Sequence, residues 1–222
     1  SLGLAIASHV ARRGTGALVF ALEMDTQQLV ARFLSLNSQT DLLAMRTGNL
    51  LDTDAADALM GLPISIDDTP GLSIMELRTK ARRVSVQGKL GVVVVDYLQL
   101  MRTEEHEENR VQAIATITRN LKSLARELDV TVIALSQLSR AAGDAGSEPK
   151  LSTLRESGSI EQDADIVMML WRDKDEVAPG APKLIHGAVS KNRNGPTGRF
   201  DLYFEAKQAR FFSRADDEGM PA

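Results

Sequence analysis

An α/β fold built on a mainly parallel sheet is what this sequence predicts, and three observations carry the prediction. The stretch Gly91-Val92-Val93-Val94-Val95-Asp96 shows no polar alternation, as expected of a strand buried on both faces. Helices flank it: a capping-box pattern opens one over residues 73–87, and a helical period marks another over residues 111–128. Three strand-like runs end in polar side chains, Glu23, Asp96 and Gln137. In doubly wound sheets ligands gather outside the carboxyl ends of the strands, which puts Asp96 at the rim of a site. On this stretch alone, Asp96 reads first as a strand-end turn or helix-cap aspartate, and the rest of the chain must overturn that reading.

The elements follow in order. Residues 2–13 read as a helix ending at Gly14, and residues 17–22 as a short buried strand after the Gly14-Thr15-Gly16 turn. Asp25, with Gln28 three residues on, caps a helix whose apolar face is Leu29, Val30, Phe33, Leu34 and Leu36. Short helices around Gly48-Asn49 lead to a brief strand, Ile64-Ser65-Ile66, that ends in Asp67-Asp68. Ser73 and Glu76 form a capping-box pattern ahead of a helix bearing Arg78, Lys80, Arg82 and Arg83, a charge run that reads first as a solvated face. Beyond the valine strand, an acidic loop (Glu104, Glu105, Glu107, Glu108) precedes a strong helical period, Val111 and Ile114 through Leu128. Residues 130–135 are another buried strand, handing over to Ser136-Gln137. Residues 139–152, rich in Gly, Ala, Ser and Asp, read as a mobile loop. Strand patterns follow at 166–171 and 184–189, then a compact basic turn over residues 191–198. Residues 200–204 and 210–213 complete an antiparallel hairpin edge, and residues 215–222 form an acidic tail.

Composition narrows the function classes. A chain of 222 residues, 43% hydrophobic and 25% charged, suffices for one globular core. The net charge of −4 argues against a uniformly basic nucleic-acid coat, although a local basic groove is compatible with it. With no cysteine there is neither a disulfide nor a thiolate metal site, and His9, His106 and His186 are too scattered to suggest a metal cluster. No apolar run approaches the ~20 residues of a membrane-spanning helix. Arg12 and Arg13 follow the opening apolar run instead of preceding it, opposite to a secretory signal, so no membrane partner and a cytoplasmic location are expected. The apolar opening without an initiator methionine suggests a start inside a structural unit.

Three polar groups at one sheet edge suit nucleotide hydrolysis. A carboxylate at a strand end holds Mg²⁺ through water, a second orients an attacking water, and a glutamine amide senses a phosphate's charge. The sequence contains no G-x-x-x-x-G-K-[ST] phosphate loop.

Five segments stand in order along the chain: Leu22-Glu23-Met24; Val95-Asp96-Tyr97-Leu98-Gln99-Leu100; Leu135-Ser136-Gln137-Leu138; the twelve residues 154–165; and Lys191-Asn192-Arg193-Asn194-Gly195-Pro196-Thr197-Gly198. Together they resemble the motor domain of DnaB-type replicative DNA helicases, over nearly the whole chain. The resemblance implies a RecA-like P-loop NTPase core over residues 1–214, with a homohexameric ring around single-stranded DNA. It also implies ATP and Mg²⁺ as cofactors, 5′-to-3′ translocation, and a primase and a helicase loader as partners. Residue by residue, it implies that Glu23 polarises the attacking water and that Asp96 is the Walker B aspartate on Mg²⁺. Gln137 would couple the γ-phosphate to the DNA loops. Lys191 and Arg193 match the family's pair that reaches the neighbouring subunit's γ-phosphate, a role the planar guanidinium suits. Without the resemblance, that pair reads as a solvated basic turn. Arg155, Glu156 and Gly158 match the loop that contacts the DNA backbone.

In that family the opening helix follows the phosphate-binding loop, whose last residue is Ser or Thr, and Ser1 takes that position as a nucleotide and Mg²⁺ ligand. The loop's glycines and lysine, and the family's amino-terminal helical domain, are missing from the sequence, so the 222 residues by themselves are expected to bind nucleotide poorly. A catalytically inactive subunit, or a single-stranded-DNA-binding module of the same fold, is the alternative. A recombinase-like or circadian-type ATPase is a third reading, which residues 155–165 and the basic turn disfavour.

Overall fold

The structure, a computed structural model, describes residues 2–38, 40–46, 57, 59–102, 110–138, 148–151, 158–173 and 180–213. Helix α1 (Leu2–Arg12) leads into strand β1 (Gly16–Ala21), followed by α2 (Thr26–Ser38), α3 (Leu42–Arg46) and β2 (Ile64–Asp67). Next come α4 (Ile74–Gln87), β3 (Leu90–Asp96), a 3₁₀ turn (Leu98–Leu100), α5 (Arg110–Leu128) and β4 (Thr131–Ala134). The chain then forms α6 (Gly158–Asp163), β5 (Ile166–Trp171), β6 (Lys183–Asn192), β7 (Gly198–Glu205) and β8 (Arg210–Phe212).

Strands β2-β1-β3-β4 pair in that order, all parallel, whereas β5-β6-β7-β8 form an antiparallel sheet. The antiparallel part is larger than the hairpin edge expected, because β5 and β6 join β7 and β8. Strand β6 also runs longer than its apolar pattern: pairing of Val167 with Lys191 and of Ile166 with Asn192 draws the first two residues of the expected turn into it.

Why the valine run is uniformly apolar follows from the layers on both sides of it. Val92 and Val94 face the cluster of Leu4, Ala7, Leu29 and Phe33, from α1 and α2. Val93 and Val95 face Leu77, Ala81, Ile114, Ile117, Leu121 and Leu124, from α4 and α5. None of the four valines is more than 2% exposed. Burying one such side chain contributes about 1.5–3 kcal/mol, so β3 anchors both layers at once. Helix α1 sits deep: a Cβ at Gly3 would lie 2.9 Å from Val94 Cγ1. The helix ends at Gly14, whose φ of 77° favours a residue without a Cβ.

Local signals place the other helices. Asp25 Oδ1 accepts the Gln28 amide at 2.8 Å, and Asp68 accepts both the amide and the hydroxyl of Thr26. The Ser73–Glu76 capping box is present, with reciprocal bonds of 3.3 and 2.8 Å. The basic run on α4 is more than a solvated face. Arg78 and Arg82 both bind Glu127 of α5, at 3.0 and 2.9 Å from Oε2, and Arg78 also reaches Asn120 Oδ1 at 2.9 Å. Lys80 pairs with Asp67 at the end of β2, at 2.6 Å.

On the antiparallel sheet, His186 of β6 lies between Asp173 (3.0 Å from Nε2) and Asp201 of β7 (2.7 Å from Nδ1). Those two carboxylates hold the imidazole protonated above its ordinary range. Trp171 of β5 stands 5.6 Å from the His186 ring. Val167 and Met169 are buried with Leu138, Leu151 and Ala164.

The acidic loop at 104–108, the helices around Gly48-Asn49, most of the loop at 139–152 and the acidic tail lie outside the described residues. Among the described residues, no helix is long and apolar enough to cross a membrane.

Hydrogen bonds from Arg82 and Arg78 lower the Glu127 carboxyl to about 2. A depressed carboxyl contributes stability above its unfolded value, and that contribution fades as pH falls through the folded value. Glu127→Gln should therefore lower the melting temperature at pH 7, and the gap from the unsubstituted chain should close between about pH 4.5 and pH 2. Thermal melts of both proteins across that range check it.

Candidate functional site

Parallel pairing brings the carboxyl ends of β1, β3 and β4 to one edge, and their register sets the polar groups side by side. Ala21 stands opposite Asp96, and Val95 opposite Ala134. Past the strand ends the backbones stay tied: Leu22 N–H donates to Asp96 O at 2.9 Å, Leu135 N–H to Val95 O at 2.9 Å, and Leu98 N–H to Leu135 O at 3.0 Å. Glu23, Asp96 and Gln137 therefore leave three adjacent strands at the same edge. Glu23 and Gln137 are exposed, and Asp96 is half-buried at the rim of the valine core. The peptide bond between Asp96 and Tyr97 is cis.

Gln99, which sequence reasoning passed over, clamps this edge. Its Nε2 donates to Ser136 Oγ at 2.8 Å and to Gln137 O at 3.5 Å, while its Oε1 accepts Gln137 N–H at 3.4 Å. Arg110, at the start of α5, donates to the Gln99 carbonyl. The backbone at Gln137 is thus held to the turn that follows Asp96. The available signal was position, since Gln99 lies inside the segment that carries Asp96; its partners are some 38 residues away.

Lys191 and Arg193 come together elsewhere, on the carboxyl end of α6. Lys191 Nζ donates to Glu161 O and, at 3.5 Å, to Gln162 O; Arg193 Nη2 donates to Gln162 O at 3.0 Å. Cations there satisfy carbonyls that the helix leaves open and complement its dipole. Arg193 N–H also donates to Asp165 O at 2.8 Å, and its guanidinium lies 3.5 Å from Asp165 Oδ1. Asp165 in turn pairs with Lys122 of α5, and Thr118 of α5 donates to Asp163 Oδ2 at 2.6 Å. The pair is therefore not a merely solvated turn. Within the turn, Asn192 Nδ2 donates to Pro196 O at 3.1 Å, and a Cβ at Gly195 would lie 2.7 Å from that nitrogen.

Gly158 begins α6, so the structure sets it and the basic pair at the two ends of one helix. Ser1, Arg155 and Glu156 lie outside the described residues.

Among the described residues, no group of three or more His, Asp or Glu side chains converges as a metal cage. A single half-buried carboxylate at a strand end fits a hard cation of the Mg²⁺ kind, which keeps several waters and takes one or two carboxylates together with phosphate oxygens.

A parallel sheet with helices on both faces, polar groups at its carboxyl edge and a second, antiparallel sheet defines a RecA-like ATPase fold. Residues 1–213 match the DnaB-like helicase C terminal domain, and the chain belongs to that family. It is 44% identical over 217 residues to the replicative DNA helicase DnaB of Rickettsia prowazekii, covering 86% of this chain and 45% of that protein. It is 42% identical over 234 residues to the replicative DNA helicase DnaC of Bacillus subtilis, covering 100% of this chain and 52% of that one. The chain spans about half the length of these relatives. Among solved structures, a DnaB-like replicative helicase studied for its interactions with primase matches with a TM-score of 0.85 at 30% identity, covering 96% of this chain and 56% of that one. A second solved structure, of an ATPase domain, matches with a TM-score of 0.86 at 30% identity, covering 96% and 81%.

The Gln99 clamp is testable without any ligand. A single net hydrogen bond contributes about 0.5–1.5 kcal/mol, roughly 2- to 10-fold in local opening. Gln99→Ala should speed amide exchange at Gln137 by about that factor and leave Leu135, bonded to Val95 O, unchanged. Residue-resolved hydrogen exchange reads both.

Proposed function

We propose that this chain is the motor domain of a replicative DNA helicase, coupling ATP hydrolysis to 5′-to-3′ movement along single-stranded DNA in a hexameric ring. The observation that carries the reading is the placement of Glu23, Asp96 and Gln137 on the ends of three adjacent parallel strands. Glu23, exposed past β1, orients and polarises the attacking water. Asp96 would hold Mg²⁺ through water, and the ion would supply positive charge to offset what develops on the phosphoryl group. Gln137, its backbone clamped by Gln99, meets the γ-phosphate with its amide. Lys191 and Arg193 serve the γ-phosphate of the neighbouring subunit, where a fork of N–H donors matches phosphoryl oxygens.

Arg155, Glu156 and Gly158 are proposed as the DNA-backbone loop, with Gly158 admitting close approach of a phosphate to main-chain N–H groups. Residues 1–214 form the motor domain in this reading, 215–222 an acidic tail, and Ser1 a phosphate and Mg²⁺ ligand. A primase and a loader are the partners, and the cytoplasm is the location. Since the 222 residues contain no G-x-x-x-x-G-K-[ST] segment, hydrolysis is assigned to this domain together with such a loop, and the 222 residues alone are expected to hydrolyse ATP very slowly.

Joined to a phosphate loop ahead of Leu2, the domain should show ATPase activity stimulated by single-stranded DNA. Glu23→Gln should lower its kcat about 10²–10⁴-fold, the usual worth of a positioned base. An unchanged rate in that variant, or no DNA stimulation of the parent, would sink the reading.

The trans role has its own check. Arg193→Ala and Glu23→Gln subunits should each be inactive alone and regain hydrolysis when mixed, because some interfaces then combine an intact Glu23 with an intact Arg193. Steady-state ATPase of mixed rings measures it, and no recovery would count against action in trans.

A further inference from the structure

We propose that Asp165 is the positioning residue for Arg193, and that Lys122 of α5 sets Asp165 in turn, so that the reach of the basic turn is governed from α5. The inference rests on the assignment of Arg193 to a neighbour's phosphate and adds what aims it.

Three elements meet at Asp165. Its Oδ2 pairs with Lys122, its Oδ1 lies 3.5 Å from Arg193 Nη1, and its carbonyl accepts Arg193 N–H at 2.8 Å. Each carboxylate oxygen faces its own cation, so the carboxylate cannot turn without giving one of them up. The main-chain bond fixes the base of Arg193 and the looser side-chain contact directs its tip.

Division of charge matters as much as geometry. Lys122 donates a hydrogen bond to Asp165, whereas the Arg193 guanidinium meets the carboxylate only at 3.5 Å and is held more loosely. Arg193 is 47% exposed, and of its five N–H donors one reaches Gln162 O. The stem is tethered and the fork is partly open, as a group reaching across a subunit contact requires. Hydrogen bonding from Lys122, with the nearby charge of Arg193, lowers the Asp165 carboxyl below its ordinary range, so the anchor stays charged near neutrality.

A purely structural role is the weaker account. Asp165 is 45% exposed, and ion pairs at that exposure contribute little to stability. Orientation is different, because misplacing a reacting group by about 1 Å costs on the order of 10²-fold in rate.

The experiment is a cycle in the assembled protein carrying its phosphate loop. Asp165→Asn should lower kcat about tenfold with KM changed less than about twofold, and should have no further effect in an Arg193→Ala background. Asp165→Glu should recover part of the loss. Binding gives a readout apart from turnover: affinity for ADP with beryllium fluoride, which mimics the γ-phosphoryl group, should fall in Asp165→Asn while affinity for ADP alone holds. Should Asp165→Asn fail to fold, Lys122→Met carries the test. Without Lys122 the carboxylate closes on Arg193, and the same kcat loss and the same selective loss of the beryllium fluoride complex are expected.

Equal losses with and without Arg193, or equal losses of both nucleotide complexes, would overturn the proposal. If the parent hydrolyses ATP and both Asp165→Asn and Lys122→Met match it, the proposal fails while the motor reading stands. A parent with no DNA-stimulated hydrolysis brings down the motor reading and this inference with it.

Discussion

Burial of β3 on both faces is the constraint from which the rest of the structure follows. Four valines in succession leave no solvated side of the strand, so helices must cover each face: α1 and α2 over Val92 and Val94, α4 and α5 over Val93 and Val95. An ionisable side chain inside that packing would carry a large desolvation cost. Asp96 stands at the first position where the core ends, and the parallel register carries Glu23 and Gln137 to the same edge. The placement of these polar groups is thus a by-product of where a buried strand runs out.

Much of this was legible in the sequence because it depends on local pattern. Unbroken apolar runs gave β1 and β3, the Ser73–Glu76 spacing gave the start of α4, and a 3.6-residue period gave α5. The polar ends Glu23, Asp96 and Gln137 were readable for the same reason, as the residues that follow each run. What could not be read were contacts made across the fold. The basic run on α4 looks like a solvated face until Glu127, some 45 residues on, folds back against Arg78 and Arg82. Gln99 and Asp165 lie inside segments already singled out, but their tasks depend on partners 38 and 43 residues away. The extent of the antiparallel sheet was likewise hidden, since register between strands is set by pairing and not by the composition of either one.

Two kinds of polar contact organise the site. At the sheet edge, neutral hydrogen bonds from Gln99 fix main chain, and so fix where the Gln137 side chain originates. At the basic turn, charged groups converge, with Lys122 and Arg193 sharing Asp165 while Lys191 and Arg193 sit on carbonyls of α6. The first arrangement is insensitive to ionic strength. The second is partly exposed and weakens as salt screens it.

Helix α6 has only six residues, about 9 Å of axial length. Curvature in helices develops over far longer spans, so a segment this short moves as a stiff rod. Gly158 is at one end, and at the other are the carbonyls of Glu161 and Gln162, gripped by Lys191 and Arg193. With no slack between them, a translation of the rod along its axis is felt undiminished at both tips. Thr118 holds Asp163 at the gripped end and Ile160 packs on the core beside α5, so the rod is seated at its middle as well as at its tip.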